Sequence, residues 1–240
     1  MEQLAEQTTF ISPFSYYHHN WELKWKRVPS NKKYDVPYEN RNEKEERALE
    51  AIATVGVIGG LQLKNLFRIG NDKLKKMCNK HLVERHSLYK DGKEIPIYTV
   101  GKYGANKIMP EYEENYWVEM DTVKVLKCIS FFQFCYLFDQ VDILPAPEPF
   151  TAGIRLKDVP FYVYVDRNGM KDLTMFLKWK KNFNERIFII TESLDYVQEL
   201  NMFMETKPIK LRVILDEQLK YREFELYHYE ADHPKKWVKG

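Results

Sequence analysis

Cysteine is scarce. The 240 residues hold three, Cys78, Cys128 and Cys135, and none is spaced as a CxxC pair. That count argues against a disulfide framework and for reduced thiols in a cytoplasmic setting. Cys128 and Cys135 sit seven apart in an apolar helical pattern, which reads as core. A zinc site needs a tighter Cys/His cluster than His18 and His19, or His81 and His86, provide, so no metal is expected. Long apolar runs are missing too. None approaches the ~18 residues of a membrane span, and MEQLAEQTTF lacks the basic start and apolar stretch of a signal peptide. No membrane partner is expected. There is no Gly-x-Gly-x-x-Gly, no P-loop and no Gly-x-Ser-x-Gly, so dinucleotide, nucleoside-triphosphate and serine-hydrolase chemistry lack their usual signatures. No cofactor is expected. Net charge is small: 37 basic against 35 acidic residues give +2. Taken alone, that speaks against a strongly basic nucleic-acid binder.

Aromatics are plentiful, with 5 Trp, 16 Tyr and 14 Phe making 15% of the chain. The length allows one large or two small domains and a real core. Residues 1–42 read as an arm in which Phe10, Phe14, Tyr16, Tyr17, Trp21, Trp25, Tyr34 and Tyr38 recur without period, punctuated by Pro13, Pro29 and Pro37. Lys24, Lys26, Arg27, Lys32 and Lys33 make it locally basic. Such a segment either grips nucleic acid or packs its rings on the body while its lysines face water.

Residues 43–108 are sharper. A helix from Glu43 to about Val55 carries Ala48, Leu49, Ile52 and Ala53 on one face. Gly56-Val57-Ile58-Gly59-Gly60 breaks it, and a short helix spans about 61–67. Asn71 or Asp72 can cap a third helix. Its apolar side is Leu74, Met77, Cys78 and His81 or Leu82, and its opposite face is Lys73, Lys75, Lys76, Asn79 and Lys80. A strand over 83–89, an Asp91-Gly92 turn and a strand over 94–100 form a hairpin, since both turn positions tolerate positive φ. A further helix starts near Lys102.

Three short helices and a hairpin constitute a winged helix-turn-helix. The run KHLVERHSLYKDGKEIPIYTVGKYGANKI, residues 80–108, resembles the wing region of bacterial winged-helix proteins. There a leucine and valine close the recognition helix, a charged hairpin follows, and threonine-x-x-glycine opens the next helix. In such a motif the outer face of the third helix enters the major groove. Lys73, Lys76, Asn79 and Lys80 are then candidates for base edges. Lys75, Lys64, Arg68, Lys90 and Lys93 are candidates for phosphate contacts. The alternative is a solvated basic face on a protein-docking unit.

Residues 109–122 turn acidic through Glu111, Glu113, Glu114, Glu119 and Asp121, which reads as a linker. A helix over 120–138, apolar nearly all round, belongs at the centre of a core. Residues 142–149 read as a proline-rich connection. Strands over 150–156 and 160–165, a helix over 170–181, a strand over 186–191, a helix over 194–204, a strand over 211–215 and a strand-like stretch over 223–229 complete an α/β unit, residues 123–240, with a mixed sheet. His228 and His233, near Glu230 and Asp232, fall in what reads as a solvated tail.

That element order resembles the PD-(D/E)xK nuclease core, and together with the winged helix it is similar to the replication-relaxation family of plasmids and other mobile elements. The resemblance implies metal-binding carboxylates at strand ends. Asp166 keeps one such place, but Tyr164 stands where the family has glutamate. Glu148-Pro149 is at best a substitute for its proline-aspartate, and no lysine stands two residues beyond a carboxylate. The expected protein is therefore a sequence-specific binder of double-stranded DNA without catalysis. It is an α+β chain, a homodimer serving transcription control, replication or transfer, with another replication or transfer protein as a further partner. A divergent Mg-dependent nuclease using Asp166, Glu148 and Asp142 is one alternative; a protein-interaction module is the other.

The charge map supports the first of these. Residues 61–107 carry 11 basic and 4 acidic residues, a net +7 that leaves −5 for the rest. Local field, not net charge, guides a polyanion.

Overall fold

The computed structural model describes residues 10–29, 42–106, 108–180, 184–222 and 224–240. Lys32, Lys33, Tyr34, Pro37, Tyr38 and Lys107, named or counted above, lie outside them. The described residues form an α+β structure, with helices and two sheets, one of them mixed. Among the described residues no helix is long and apolar enough to cross a membrane.

The first unit begins with α1, Glu43–Val55, which buries Ala48, Leu49, Ile52 and Val55. Asn42 and Glu45 close a reciprocal capping box at its start. The glycine-rich break contains a two-residue strand β2, Ile58–Gly59. Then come α2, Gly60–Phe67, α3, Asn71–Asn79, and the hairpin β3, Val83–Lys90, with β4, Lys93–Val100. The turn is the expected one: Asp91 and Gly92 hold φ of 49° and 78°. The cap of α3 differs from expectation. Gly70 is the N-cap and no side chain caps, because Asn71 and Asp72 already lie inside the helix. The helix near Lys102 is a single turn, α4, Lys102–Ala105. The spacing of its glycines has a steric reason. A Cβ on Gly104 would lie 1.9 Å from the Leu82 carbonyl oxygen, so only glycine lets this turn close against the end of α3.

A strand missed in the sequence, β1, Trp21–Lys24, pairs antiparallel with β3, giving the order β1-β3-β4-β2. Trp21, Leu23 and Trp25 turn toward the core. Residues of the acidic stretch also enter it, since Trp117 is fully buried within a 3-10 turn.

The apolar helix α5, Thr122–Cys135, buries Val125, Leu126, Cys128, Ile129, Phe131, Phe132, Phe134 and Cys135. It packs against β2 and α2 on one side and the large sheet on the other. The large sheet contains β5, Asp142–Leu144, β6, Ala152–Leu156, and β7, Val159–Val165, all antiparallel to their neighbours in that hairpin series. Helix α6, Lys171–Trp179, leads to β8, Arg186–Thr191, parallel to β7. A 3-10 turn and α7, Asn201–Thr206, lead to β9, Lys210–Leu215, parallel to β8. After α8, Asp216–Tyr221, strands β10, Tyr227–Tyr229, and β11, Trp237–Lys239, close the sheet in the order β11-β10-β9-β8-β7-β6-β5. Strand β8 alternates strictly: Phe188 and Ile190 face α5, Ile187 and Ile189 face α6 and α7. Both faces are covered, which explains its unbroken apolar sequence.

Three expectations need correction here. The supposed connection at 142–149 includes β5, too short to show alternation. The helix over 194–204 is split into a 3-10 turn and a short α-helix. The C-terminal stretch is not a solvated tail: His228 lies on β10, and Trp237 is buried. One apolar cluster runs from α1 through α5 to the large sheet without interruption.

Candidate nucleic-acid interface

Helix α3 presents two faces. Leu74 and Met77 are buried, while Asp72, Lys75, Lys76, Asn79 and Lys80 are exposed. Helical spacing stacks Lys75 over Asn79 and Lys76 over Lys80. This gives ammonium and amide donors on the surface opposite the core. Asp72 shares that face, a detail that a list of its basic residues overlooks. Lys64 and Arg68 are exposed at the end of α2 and in the following turn, where Arg68 adopts left-handed φ of 56°. Lys93 is exposed at the start of β4.

Lys73 and Lys90, both predicted contacts, are engaged within the protein. Lys73 Nζ lies 2.9 Å from Glu45 Oε1, and that carboxylate is nearly fully buried. Its other oxygen accepts from the Asn42 amide at 3.0 Å. Glu45 therefore joins the cap of α1 to α3, and Lys73 is the cation that neutralises it. The Asn-x-x-Glu capping box was visible in the sequence and is the signal that could have placed Glu45 inside. Lys90 donates to the Pro13 carbonyl oxygen at 2.8 Å and lies over the Trp21 ring. Partial burial lowers its pKa from the ordinary lysine value.

The segment before β1 holds the hairpin tip. Asp91 Oδ1 accepts from the Asn20 amide at 2.9 Å, and His19 Nδ1 lies 3.0 Å from Oδ2. These contacts, the Asn20 amide first, keep the Asp91 carboxyl below the usual carboxylate range. The same segment reaches the large sheet. Ser12 donates to Asp216, and Phe14 lies under the Arg167 guanidinium. Arg167 and Asp216 form a fully buried ion pair at 3.0 Å, beyond the ends of β7 and β9. Arg167 Nη2 also donates to Ser130 of α5. Sequence reading missed this pair, because nothing local marks an arginine as buried.

The nuclease-type carboxylates are not gathered. Asp142 is in register with Arg155, and Arg155 with Pro160. That sets Asp142 six residues of strand, roughly 20 Å, from Asp166. Tyr164 is buried, and its hydroxyl donates to Asp172. Asp166 accepts from the Gly169 amide at 2.9 Å, and burial raises its pKa above the ordinary carboxylate value. Among the described residues no three His, Cys, Asp or Glu side chains are grouped to hold a metal ion. The residues present do not fit the metal that the nuclease resemblance implies.

Comparison with models of known families, with curated proteins and with solved structures finds no match to this chain.

Proposed function

We propose that this chain is a sequence-specific binder of double-stranded DNA, built from an N-terminal winged helix-turn-helix and a nuclease-like α/β unit that does not catalyse. One observation carries the reading. Lys75, Lys76, Asn79 and Lys80 stand exposed on one face of α3, in a unit of order helix, short strand, helix, helix, hairpin. The pairing of β2 with β4 supports it, because it fixes the hairpin beside the helices. On this reading α3 occupies the major groove, with Lys76, Asn79 and Lys80 toward base edges. Lys64, Arg68, Lys75 and Lys93 contact phosphates, while Lys73 positions α3 through Glu45.

The α/β unit supports docking or dimerisation. Met175 and Trp179, one helical turn apart on α6, are 63% and 75% exposed, and adjoining exposed apolar side chains are the surface a partner would cover. A homodimer would match two half-sites. A role in transcription control, replication or transfer on a mobile element, with another replication or transfer protein as partner, follows from the family resemblance. Cytoplasmic location accords with the free thiols.

The test is the double substitution Lys76→Glu with Lys80→Glu. Both side chains are exposed, so the fold should be retained. Duplex affinity should fall at least a hundredfold at low salt, measured by fluorescence anisotropy. Unchanged binding would refute the assignment to α3.

A further inference from the structure

We infer that the open end of the large sheet is a second phosphate-binding surface, fitted to the phosphodiester backbone of nucleic acid. The choice of nucleic acid as the source of phosphate rests on the proposed DNA-binding function.

The surface follows from register and alternation. Arg186 on β8 is the direct cross-strand partner of Lys210 on β9, and Arg186 in turn pairs with Phe161 on β7. Arg212 stands two residues beyond Lys210, on the same face. That face is the one α5 covers, shown by Phe188 of β8, whose ring lies 5.2 Å from Phe134. At this end of the strands Arg186, Lys210 and Arg212 are all exposed. Three cations thus lie within roughly 7 Å of strand length on neighbouring strands about 4.8 Å apart.

Like charges directly opposite on neighbouring strands destabilise a sheet. Among the described residues none of the three is in a salt bridge. Glu185, next in the chain, is exposed and lines one hollow beside Arg186, with no ion pair between the two. The Arg186 guanidinium lies over the Phe161 ring, 5.7 Å from its centroid, and Phe161 itself stacks on Phe188. This packing holds a planar cation at the exposed strand end, and among the described residues no hydrogen bond or ion pair engages its donors.

The ground is concave. A hollow of about 310 Å³ is lined by Phe161, Arg186, Lys210 and Arg212, and a second of about 350 Å³ shares Phe161 and Arg186. Guanidinium groups match phosphate oxygens in pairs. Arg212 Nη1 donates to the Leu211 carbonyl oxygen at 3.0 Å, which holds that side chain in place and leaves its other arm, with the Arg186 fork and the Lys210 ammonium, to meet a polyanion in the hollow.

The test uses the full chain with Arg186→Glu and Arg212→Glu together, and the milder Arg186→Gln with Arg212→Gln should the first not fold. Removing the repulsion should leave the melting temperature unchanged or higher. The slope of log affinity for duplex DNA against log salt should become shallower by about 2, since each lost phosphate contact removes about 0.9. A wild-type slope in the folded variant would overturn the inference while leaving the α3 reading intact. Failure of the unaltered chain to bind duplex at low salt would overturn both. Saturable binding of inorganic phosphate at this surface, with the duplex slope unaffected by the variant, would overturn the nucleic-acid assignment.

Discussion

His86 shows how one side chain can tie an arm to a hairpin and set a pH limit. Its Nδ1 accepts from the Lys26 amide at 3.0 Å, so the proton sits on Nε2, which donates to Thr99 Oγ1 at 2.9 Å. Trp25 and Trp117 pack on the ring, with centroids 4.8 and 5.0 Å away. Burial, with the nearby Lys26 charge adding, pushes the imidazole down to about 3 from an ordinary 6.5. Between those values the unfolded chain binds the proton that the fold refuses. Stability attributable to His86 is therefore intact above about pH 6.5 and declines as pH falls toward 3. The slope is at most about 1.4 kcal/mol per pH unit. Urea midpoints measured from pH 7 to 4 should decline more steeply for the unaltered chain than for His86→Gln. Parallel curves would show that the ring does not resist protonation. At this scale the sequence was a partial guide. It marked the exposed lysines of α3, because amphipathic spacing sorts faces. It did not mark Lys73 or Lys90 as internally engaged, because their partners, Glu45 and the Pro13 carbonyl, are 28 and 77 residues away.

Elements with strong local periodicity were legible, and elements that exist only by pairing were not. The hairpin of β3 and β4, helix α1 and helix α5 follow from apolar spacing and turn chemistry. Strands β1, β2, β5 and β11 have two to four residues each, too few for a pattern; a neighbouring strand's free edge defines them. β1 matters most, because it covers the outer edge of β3 and brings Trp25 to the core, where its Nε1 donates to the Met120 carbonyl oxygen at 3.1 Å. Trp25→Ala should destabilise by about 2–4 kcal/mol, near the range for large aromatic truncations. It should also speed amide exchange over Ser87 to Lys90, where β1 pairs. Unchanged protection there would mean that β1 is held without its tryptophan.

For the molecule as a whole, charge distribution says more than net charge. The basic surface of α3 and the cations at the open sheet end belong to a chain of only +2. Composition revealed the first of these through a run of neighbouring lysines. The second arises only when β8 and β9 align Arg186 with Lys210. Element order likewise suggested the nuclease-like unit, whereas the dispersal of Asp142 and Asp166 required the register of three strands. The exposed Met175 and Trp179 carry the oligomeric prediction. Sedimentation should show a dimer for the unaltered chain and a monomer for Trp179→Glu; a monomer in both would remove α6 as an interface.

DNA binding is the central claim, and its most direct measurement is duplex affinity of the unaltered chain as a function of salt. Lys64, Arg68, Lys75, Lys76, Lys80 and Lys93 are exposed in the first unit. With Lys64, Arg68, Lys75 and Lys93 on phosphates, log affinity should fall against log salt with a slope of roughly −4, steepened by about 2 where Arg186 and Arg212 also engage the backbone. A flat dependence, or no binding at low salt, would contradict the account.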